Sequence, residues 1–324
     1  MEQTKDILVE IENLKKYFDI KDNKGRKGIL KAVDGVSFEI RRGETFGLVG
    51  ESGCGKSTLG RSLLNLYPIS GGNILFDGKN VATLGRKEKK KFCSHSQLVF
   101  QDPSACLNPR NRIGQILAEP FKIHYGKAMS KADRTKRIDE LLDLVGLASD
   151  YKERYPHEMS GGQKQRIGIA RALALEPQLI VCDEPVSALD VSIQAQVINL
   201  LVELQEKLNL TYLFISHDLG VVYHICKRIA VMYLGKIVEI ADKEDLYNDT
   251  CHPYTKALIS AAPTIDGKDT KRILLTGDVP NPSKPPAGCK FHTRCPHVSE
   301  RCKSEEPELK QYKENHFVAC HLYE

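Results

Sequence analysis

Residues Gly50–Thr58 read GESGCGKST, between a short apolar run, Thr45–Val49 (TFGLV), and a stretch of helical pattern, Lys56–Leu66. Gly50-x4-Gly55-Lys56-Ser57 is the spacing of a phosphate-binding loop, whose context must be strand, glycine-rich turn, helix. Glycines let successive backbone N–H groups turn inward around an anion. The following helix points its positive end at the same place. Lys56 then reaches the β- and γ-phosphates of a nucleotide, and the Ser57 hydroxyl ligates Mg²⁺. A chance glycine-rich turn could imitate part of this pattern, though not all of it between a strand and a helix. The candidate nucleotide-binding set is Gly50, Glu51, Ser52, Gly53, Cys54, Gly55, Lys56, Ser57 and Thr58.

Outward from the loop, short apolar runs at Leu179–Cys182, Thr211–Ile215 and Ile229–Met232 alternate with helical patterns at Ile193–Lys207 and Leu219–Ile225. That alternation predicts a largely parallel sheet flanked by helices. Lys236–Ile240 adds a further strand, and Ile7–Ile11 and Val33–Ile40 make the first fifty residues β-rich. From Pro103 to Leu175 helical patterns dominate, as in Arg134–Val145 (RTKRIDELLDLV). After Asp249 the style changes: a short helix at Pro253–Ala261, a Pro- and Gly-rich linker or arm at Ala262–Gly288, then a polar segment carrying four cysteines.

A chain of 324 residues can bury a sizeable core. No apolar run approaches the ~18–20 residues that span a bilayer. The opening MEQTKDILVE is acidic and mixed, unlike a secretory signal, so neither secretion nor membrane crossing is expected. The net charge of +5 is mild. Its densest run, Arg86–Lys91 (RKEKKK), fits a solvated helix face or, alternatively, contact with anionic lipid headgroups, at about 1 kcal/mol per basic side chain. Aromatic and basic residues are not interleaved, and no nucleic-acid partner is expected.

Four further features are candidates for chemistry. Leu179–Glu184 (LIVCDE) is an apolar strand ending in two carboxylates. Asp183 there suits Mg²⁺, directly or through water, and Glu184 suits a base or water-orienting group. A strand ending in Asp-Glu could also merely cap a helix. Gln101, beginning the loop after Gln97–Phe100, could sense Mg²⁺ or attacking water. His217, at a strand tip in FISHD, could hold a γ-phosphate and Glu184 together; singly, either residue could be structural. Ser160-Gly161-Gly162-Gln163 opens the helix predicted at Lys164–Leu175, with Ser160 as N-cap. It is a second anion-binding helix start, and two such starts in one domain suggest that each nucleotide lies between two chains.

These motifs, in this order, resemble the ATP-binding cassette (ABC) family over about residues 6–245. The resemblance implies an α/β fold: a P-loop NTPase cassette with a RecA-like core, an antiparallel β subdomain and an α-helical subdomain near 103–172. Gly50–Thr58 is then the Walker A loop, Gln101 the Q-loop and a Mg²⁺ contact with Ser57 and Asp183, and Ser160–Gln163 the signature. Leu179–Asp183 is the Walker B strand, Glu184 the catalytic carboxylate, Ser187–Asp190 (SALD) the D-loop with Asp190, and His217 the switch histidine. The adenine-stacking aromatic is expected at Phe18, with Tyr17 the alternative. None of these positions departs from the family pattern.

Cys251–Leu258 (CHPYTKAL) and Gly277–Cys295, ending in GCKFHTRC, resemble the C-terminal region of oligopeptide/dipeptide importer ATPases. The wording AVDGVSF and GESGCGKSTLGR is similar to the F-type subunit. Domains at 1–250 and 251–324 are expected. The resemblance implies a heterodimer with a second, D-type ATPase, two membrane permease subunits whose coupling helix meets the Gln101–Ile116 region, and an extracytoplasmic peptide-binding protein. It places the chain peripherally on the cytoplasmic face of the membrane. The cargo stays open, dipeptides, longer peptides and nickel complexes included, and a non-transport ABC ATPase is the rival reading.

Cys54, Cys93, Cys106, Cys182, Cys226 and Cys251 are scattered and read mostly as small hydrophobes. Cys289, Cys295, Cys302 and Cys320 follow C-x5-C-x6-C-x17-C and read as a metal staple for a segment too short and polar to build its own core. Tight C-x2-C pairs, which favour zinc, are missing. Four thiolates at wider spacing suit a [4Fe–4S] cluster, which some members of the resembling subfamily bind. His292, His297, His316 and His321 keep zinc as the alternative.

Overall fold

The structure is a computed structural model that describes residues 6–21, 25, 27–261 and 273–324. Residues 1–5 of the opening segment and 262–272 of the expected arm lie outside the described residues. The chain divides into two compact units, one of Met1–Ile40, Thr45–Ala82 and Phe214–Glu324, the other of Arg41–Glu44 and Thr83–Leu213.

The first unit begins with β1 (Ile7–Lys21), β2 (Lys27–Arg41), β3 (Thr45–Val49), α1 (Lys56–Leu63), β4 (Gly71–Phe76) and β5 (Lys79–Asn80). The second unit holds α2 (Arg86–His95), β6 (Ser96–Val99), α3 (Pro103–Cys106), α4 (Ile113–His124), α5 (Lys131–Leu144), α6 (Gly161–Leu173), β7 (Leu179–Asp183) and α7 (Val191–Leu208). The division falls inside β8 (Thr211–Ser216). The first unit resumes with α8 (Leu219–Ile225), β9 (Arg228–Tyr233), β10 (Lys236–Asp242), α9 (Lys243–Asn248) and α10 (Pro253–Ala261). It closes with α11 (Glu300–Ser304), β11 (Lys310–Lys313) and β12 (His316–Val318).

Two sheets serve the first unit. In β2-β1-β4-β5, β1 pairs antiparallel with β4, Val9 opposite Phe76 and Ile11 opposite Ile74. The other contains β11-β12-β10-β9-β3 in that order. β3 and β9 are buried on both faces and run parallel, Gly47 opposite Ile229 and Val49 opposite Val231. Continuous apolar runs such as TFGLV and RIAVMY are what two covered faces require. In the second unit β6 runs parallel to β7, and α3 to α6 lie between residues 103 and 173.

Most strands and helices expected from the sequence form, with differences at their ends. α1 stops at Leu63 because Asn65 takes a left-handed φ of 54° and Leu66 N–H turns back to Arg61 O at 2.9 Å, a common way to end a helix. α6 starts at Gly161, three residues early, because Ser160 builds a capping box there.

The larger difference lies in the tail, which carries no strong strand signal. β12 pairs antiparallel with β10, Glu239 opposite Val318, and β11 pairs with β12, so the tail extends the sheet. Phe291, Val318 and Ala319 are buried. The tail therefore has apolar anchorage of its own, and a metal need not be its sole staple.

Glu239 of β10 is fully buried. Its carboxylate accepts the Cys251 N–H at 2.8 Å, the His252 N–H at 3.0 Å and His316 Nε2 at 2.8 Å. A buried carboxylate demands such donors, and these three join β10, the entry to α10 and β12. Glu239, Cys251 and His316 also bring their ligand atoms within 4.8 Å of one another. The three donors satisfy the Glu239 carboxylate, while His316 Nδ1 is buried without a hydrogen-bond partner among the described residues.

His252 is buried, and its Nδ1 accepts the Tyr254 N–H at 3.1 Å. Burial pulls its pKa from 6.5 down to about 4, with Glu239 opposing and Lys256 assisting. Between those two values the unfolded chain takes a proton that the folded chain refuses, so stability is full above pH 6.5 and falls toward pH 4. The loss across that window reaches about 3 kcal/mol. Urea unfolding at a series of pH values should show this slope, and it should flatten in His252→Asn, which keeps an acceptor for the Tyr254 N–H.

Candidate functional site

The glycine-rich loop lies in the first unit between β3 and α1. Gly50, Gly53 and Gly55 hold φ of 152°, 80° and 111°. A Cβ on Gly50 would stand 2.2 Å from Met232 O, and one on Gly55 would stand 2.0 Å from Ala32 O. Both backbones press against neighbouring strands so closely that no other residue fits. Lys56, almost wholly buried, folds back over the loop and donates from Nζ to Gly50 O at 2.7 Å and Glu51 O at 3.0 Å. Gly55 gives α1 no side-chain cap. Glycines at positive φ, a buried lysine and a helix N-terminus are the ingredients that a phosphate cradle requires.

Of the two aromatic candidates in β1, Tyr17 is committed. Its hydroxyl donates to Asp34 Oδ1, and burial with that bond pushes its pKa up to about 12. Phe18 meets Tyr67 edge-on with centroids 5.6 Å apart, and Lys16 Nζ sits 4.5 Å from its ring centroid. Phe18 has no polar commitment of that kind, which favours it as a stacking surface.

In the second unit β7 ends at Asp183, buried to 2 % exposure, with Glu184 half-buried beyond it. Glu184 holds φ at 49°, a costly conformation for a non-glycine residue and one that clusters at functional sites. Its Oε2 accepts Gln101 Nε2 at 2.9 Å. Gln101 and Glu184, far apart in sequence, thus meet. The Ser187 hydroxyl donates to Glu184 O at 3.2 Å. Asp190 precedes α7 and accepts the Ile193 and Gln194 N–H groups at its carbonyl, both at 2.9 Å.

The signature residues form a complete capping box: Ser160 Oγ accepts the Gln163 N–H at 3.3 Å, and Gln163 Oε1 accepts the Ser160 N–H at 3.0 Å. Gln163 Nε2 also donates to Tyr151 OH at 2.9 Å. Ser160 and Gly161 are exposed, whereas Gly162 is buried. A Cβ on Gly162 would stand 2.5 Å from Ile193 Cγ2, on the first turn of α7. Gly162 thus also serves the close packing of α6 on α7.

His217 is exposed just after β8. The residue that fixes the turn is Asp218, which sequence reading passed over. Its Oδ1 accepts the Gly220 N–H at 2.8 Å and the Val221 N–H at 3.2 Å, capping α8. The Asp-x-Gly-Val spacing is a legible N-cap signal.

Two more missed residues touch the loop. Tyr254 OH accepts the Glu51 N–H at 2.9 Å. Arg294 NH1 and NH2 grip Glu51 Oε2 and Oε1 at 2.7 and 3.0 Å. Both contacts join residues more than 200 positions apart, and no local sequence pattern signals that.

The four tail cysteines share an environment. Burial pushes Cys289 and Cys320 up to about 11, and the neighbouring tail thiols add to both shifts. The Cys289 N–H binds Cys302 O at 2.9 Å. The His297 backbone N–H donates to Cys295 Sγ at 3.4 Å, and Ser299 Oγ lies 3.2 Å from Cys302 Sγ. Of the histidines that could have joined them, His316 is spent on Glu239, and His321 contacts Glu324 Oε2 at 3.0 Å and Glu305 O at 3.1 Å.

A family profile described as ABC transporter matches residues 33–187, and one described as Oligopeptide/dipeptide transporter, C-terminal region, matches residues 238–302. The oligopeptide transport ATP-binding protein AppF of Bacillus subtilis is 53% identical over 322 residues, covering 98% of this chain and 97% of that protein. The oligopeptide transport ATP-binding protein OppF of Haemophilus influenzae is 50% identical, covering 98% and 97%. Among solved structures, the dimeric ATP-binding cassette MJ0796 bound to ADP and Pi superposes with a TM-score of 0.64 at 29% identity, over 72% of this chain and 98% of that one. The cbiO1 protein of Clostridium perfringens, part of the cbiONQ transporter complex, gives 0.62 at 28%, over 76% and 92%.

The packing at the signature separates its two glycines. Gly162→Ala drives a methyl into the branched side chain of Ile193 and should cost about 1–3 kcal/mol. Gly161→Ala meets only the Leu189 Cδ2 methyl at 3.2 Å and should cost less. Thermal melting of the two variants side by side checks the order.

Proposed function

Because the chain belongs to the ABC transporter ATP-binding family, and over nearly its whole length to the branch of oligopeptide transport ATP-binding proteins, we propose that it binds and hydrolyses ATP to drive import of oligopeptides or dipeptides. One observation carries this reading: a cassette and an oligopeptide/dipeptide transporter C-terminal region stand in one chain, which aligns end to end with AppF at 53% identity. A non-transport ATPase would have no use for that second region. Nickel complexes would need a different binding protein with the same motor.

The roles follow from chemistry. Lys56 and the amides of Gly53–Thr58 neutralise the β- and γ-phosphates. Phe18 stacks on adenine. Ser57, Asp183 and the Gln101 carbonyl are the oxygen donors that would hold Mg²⁺; Gln101 spends its NH2 on Glu184, which keeps its carbonyl as the acceptor. When bound, Mg²⁺ neutralises charge developing on the phosphates. Glu184 orients the attacking water or takes its proton, His217 contacts the γ-phosphate, and Asp190 serves the D-loop. Ser160–Gln163 serves the nucleotide of a partner chain, so that closing two cassettes completes both sites, and only the closed state makes both sets of contacts.

The assembly we infer contains a second ATPase chain of the D type, two membrane permeases and an extracytoplasmic peptide-binding protein, with this chain peripheral on the cytoplasmic face. No helix among the described residues is long and apolar enough to cross a membrane, which fits a docked motor. Functional domains are placed at 1–250 and 251–324, the second a cysteine-rich extension. We infer a [4Fe–4S] cluster held by Cys289, Cys295, Cys302 and Cys320, a reading supported by their number and spacing and by the His297 N–H on Cys295 Sγ. A bound cluster would keep the thiols deprotonated and tie the tail segments together. Zinc is the alternative for the same donors.

Two experiments test these readings. In cells lacking the chain, uptake of a labelled dipeptide and a labelled oligopeptide should stop and return with the parent. Glu184→Gln should bind MgATP normally yet lower turnover about 100-fold or more and restore no uptake; normal turnover would overturn the role of Glu184. Protein purified without air should carry iron and acid-labile sulfide in cluster stoichiometry, lost in Cys295→Ser. Colourless protein holding stoichiometric zinc would overturn the cluster.

A further inference from the structure

We propose that Arg294 and Tyr254, which lie outside every nucleotide motif, are positioning residues for the phosphate-binding loop. They hold Glu51 from two sides and remove its negative charge from the phosphate site. The inference deepens the functional reading above and rests on it.

Glu51 is the first residue after Gly50 in the loop, and each of its polar groups is engaged. Its N–H reaches Tyr254 OH at 2.9 Å, its carbonyl receives Lys56 Nζ at 3.0 Å, and its carboxylate is held by both terminal nitrogens of Arg294. The Arg294 fork is geometrically specific and short, at 2.7 and 3.0 Å. Arg294 is nearly buried, at 8% exposure, and its pairing with Glu51 holds its pKa above the ordinary arginine range.

The supports behind both residues are rigid. The Tyr254 ring is fully buried, 4.7 Å from the Tyr233 ring and 5.4 Å from Phe291. Tyr254 stands on α10, whose entry is fixed by Glu239. Arg294 directly precedes Cys295 and follows the buried Phe291 by three positions. A displacement of the tail would pass through two contacts into the loop.

The electrostatics give the pair a task beyond packing. A carboxylate carried by a residue of the loop itself repels the anion that the loop would bind. Bidentate pairing with a guanidinium draws that charge aside and cancels it. Two separable losses should follow if Arg294 is removed: a looser loop and an unneutralised Glu51.

The test uses the full-length chain purified without air, with MgATP affinity measured by displacement of a fluorescent ATP analogue and KM and kcat measured in the assembled transporter. Arg294→Ala should raise the MgATP Kd and KM roughly tenfold, the scale of a lost charged hydrogen bond, with kcat at saturation nearly unchanged. Arg294→Lys should fall between. Adding Glu51→Gln to Arg294→Ala should recover a large part of the affinity, an electrostatic rescue that a purely structural role would not produce. Tyr254→Phe, which keeps the buried ring, should weaken binding a few-fold and carries the test if Arg294→Ala does not fold. Folded Arg294→Ala and Tyr254→Phe with parental Kd, or a double variant no better than Arg294→Ala, would overturn the proposal. A parent chain that binds no MgATP would instead overturn the functional reading itself.

Discussion

The constraint on which the rest depends is the near-contact of the phosphate loop with strands of both sheets, β9 of its own and β2 of the other. Gly50 lies against Met232 O and Gly55 against Ala32 O, with no room for a Cβ at either. That closeness requires β3 and β9 to run parallel in a fixed register, Val49 opposite Val231, because the loop leaves the end of β3 as Met232 passes on β9. It requires positive φ at both glycines. It leaves α1 to begin without a side-chain cap. Burial of β3 and β9 on both faces supplies the stiffness for such close approach.

The C-terminal segment belongs to the same construction. β12 adds to the edge of β10, and the buried carboxylate of Glu239 ties β10, α10 and β12 together through three donors. From that platform Tyr254 and Arg294 reach the loop. An extension that by composition looks like an appendage is thus joined to the phosphate site through the first unit's own core.

Legibility in the sequence followed the range of the physics. The loop, Ser160–Gln163, Asp183–Glu184 and most of the strands carry their signal within a few residues, as spacing, capping or apolar runs, and could be read directly. The end of α1 shifted because Asn65 turns its backbone left-handed, which apolar periodicity does not report, and α6 begins directly after the Ser160 cap, ahead of its apolar periodicity. β11 and β12 were invisible because strands of four and three residues have too little pattern to show, and β12 pairs with β10, far back in the sequence. The Gln101–Glu184 bond could be expected only through the family resemblance, and the Glu51–Arg294 pair not at all, since fold alone closes such distances. The bond from His316 to Glu239 was equally hidden, because the two are distant in sequence and buried together.

The claim at the centre is that Gly50–Thr58 is a nucleotide cradle preformed by its sheet. Backbone hydrogen exchange with and without MgATP measures this most directly, residue by residue. The account predicts slower exchange across Ser52–Thr58 on adding MgATP, with β3 and β9 strongly protected in both states. Exchange in the loop that MgATP leaves unchanged would contradict it.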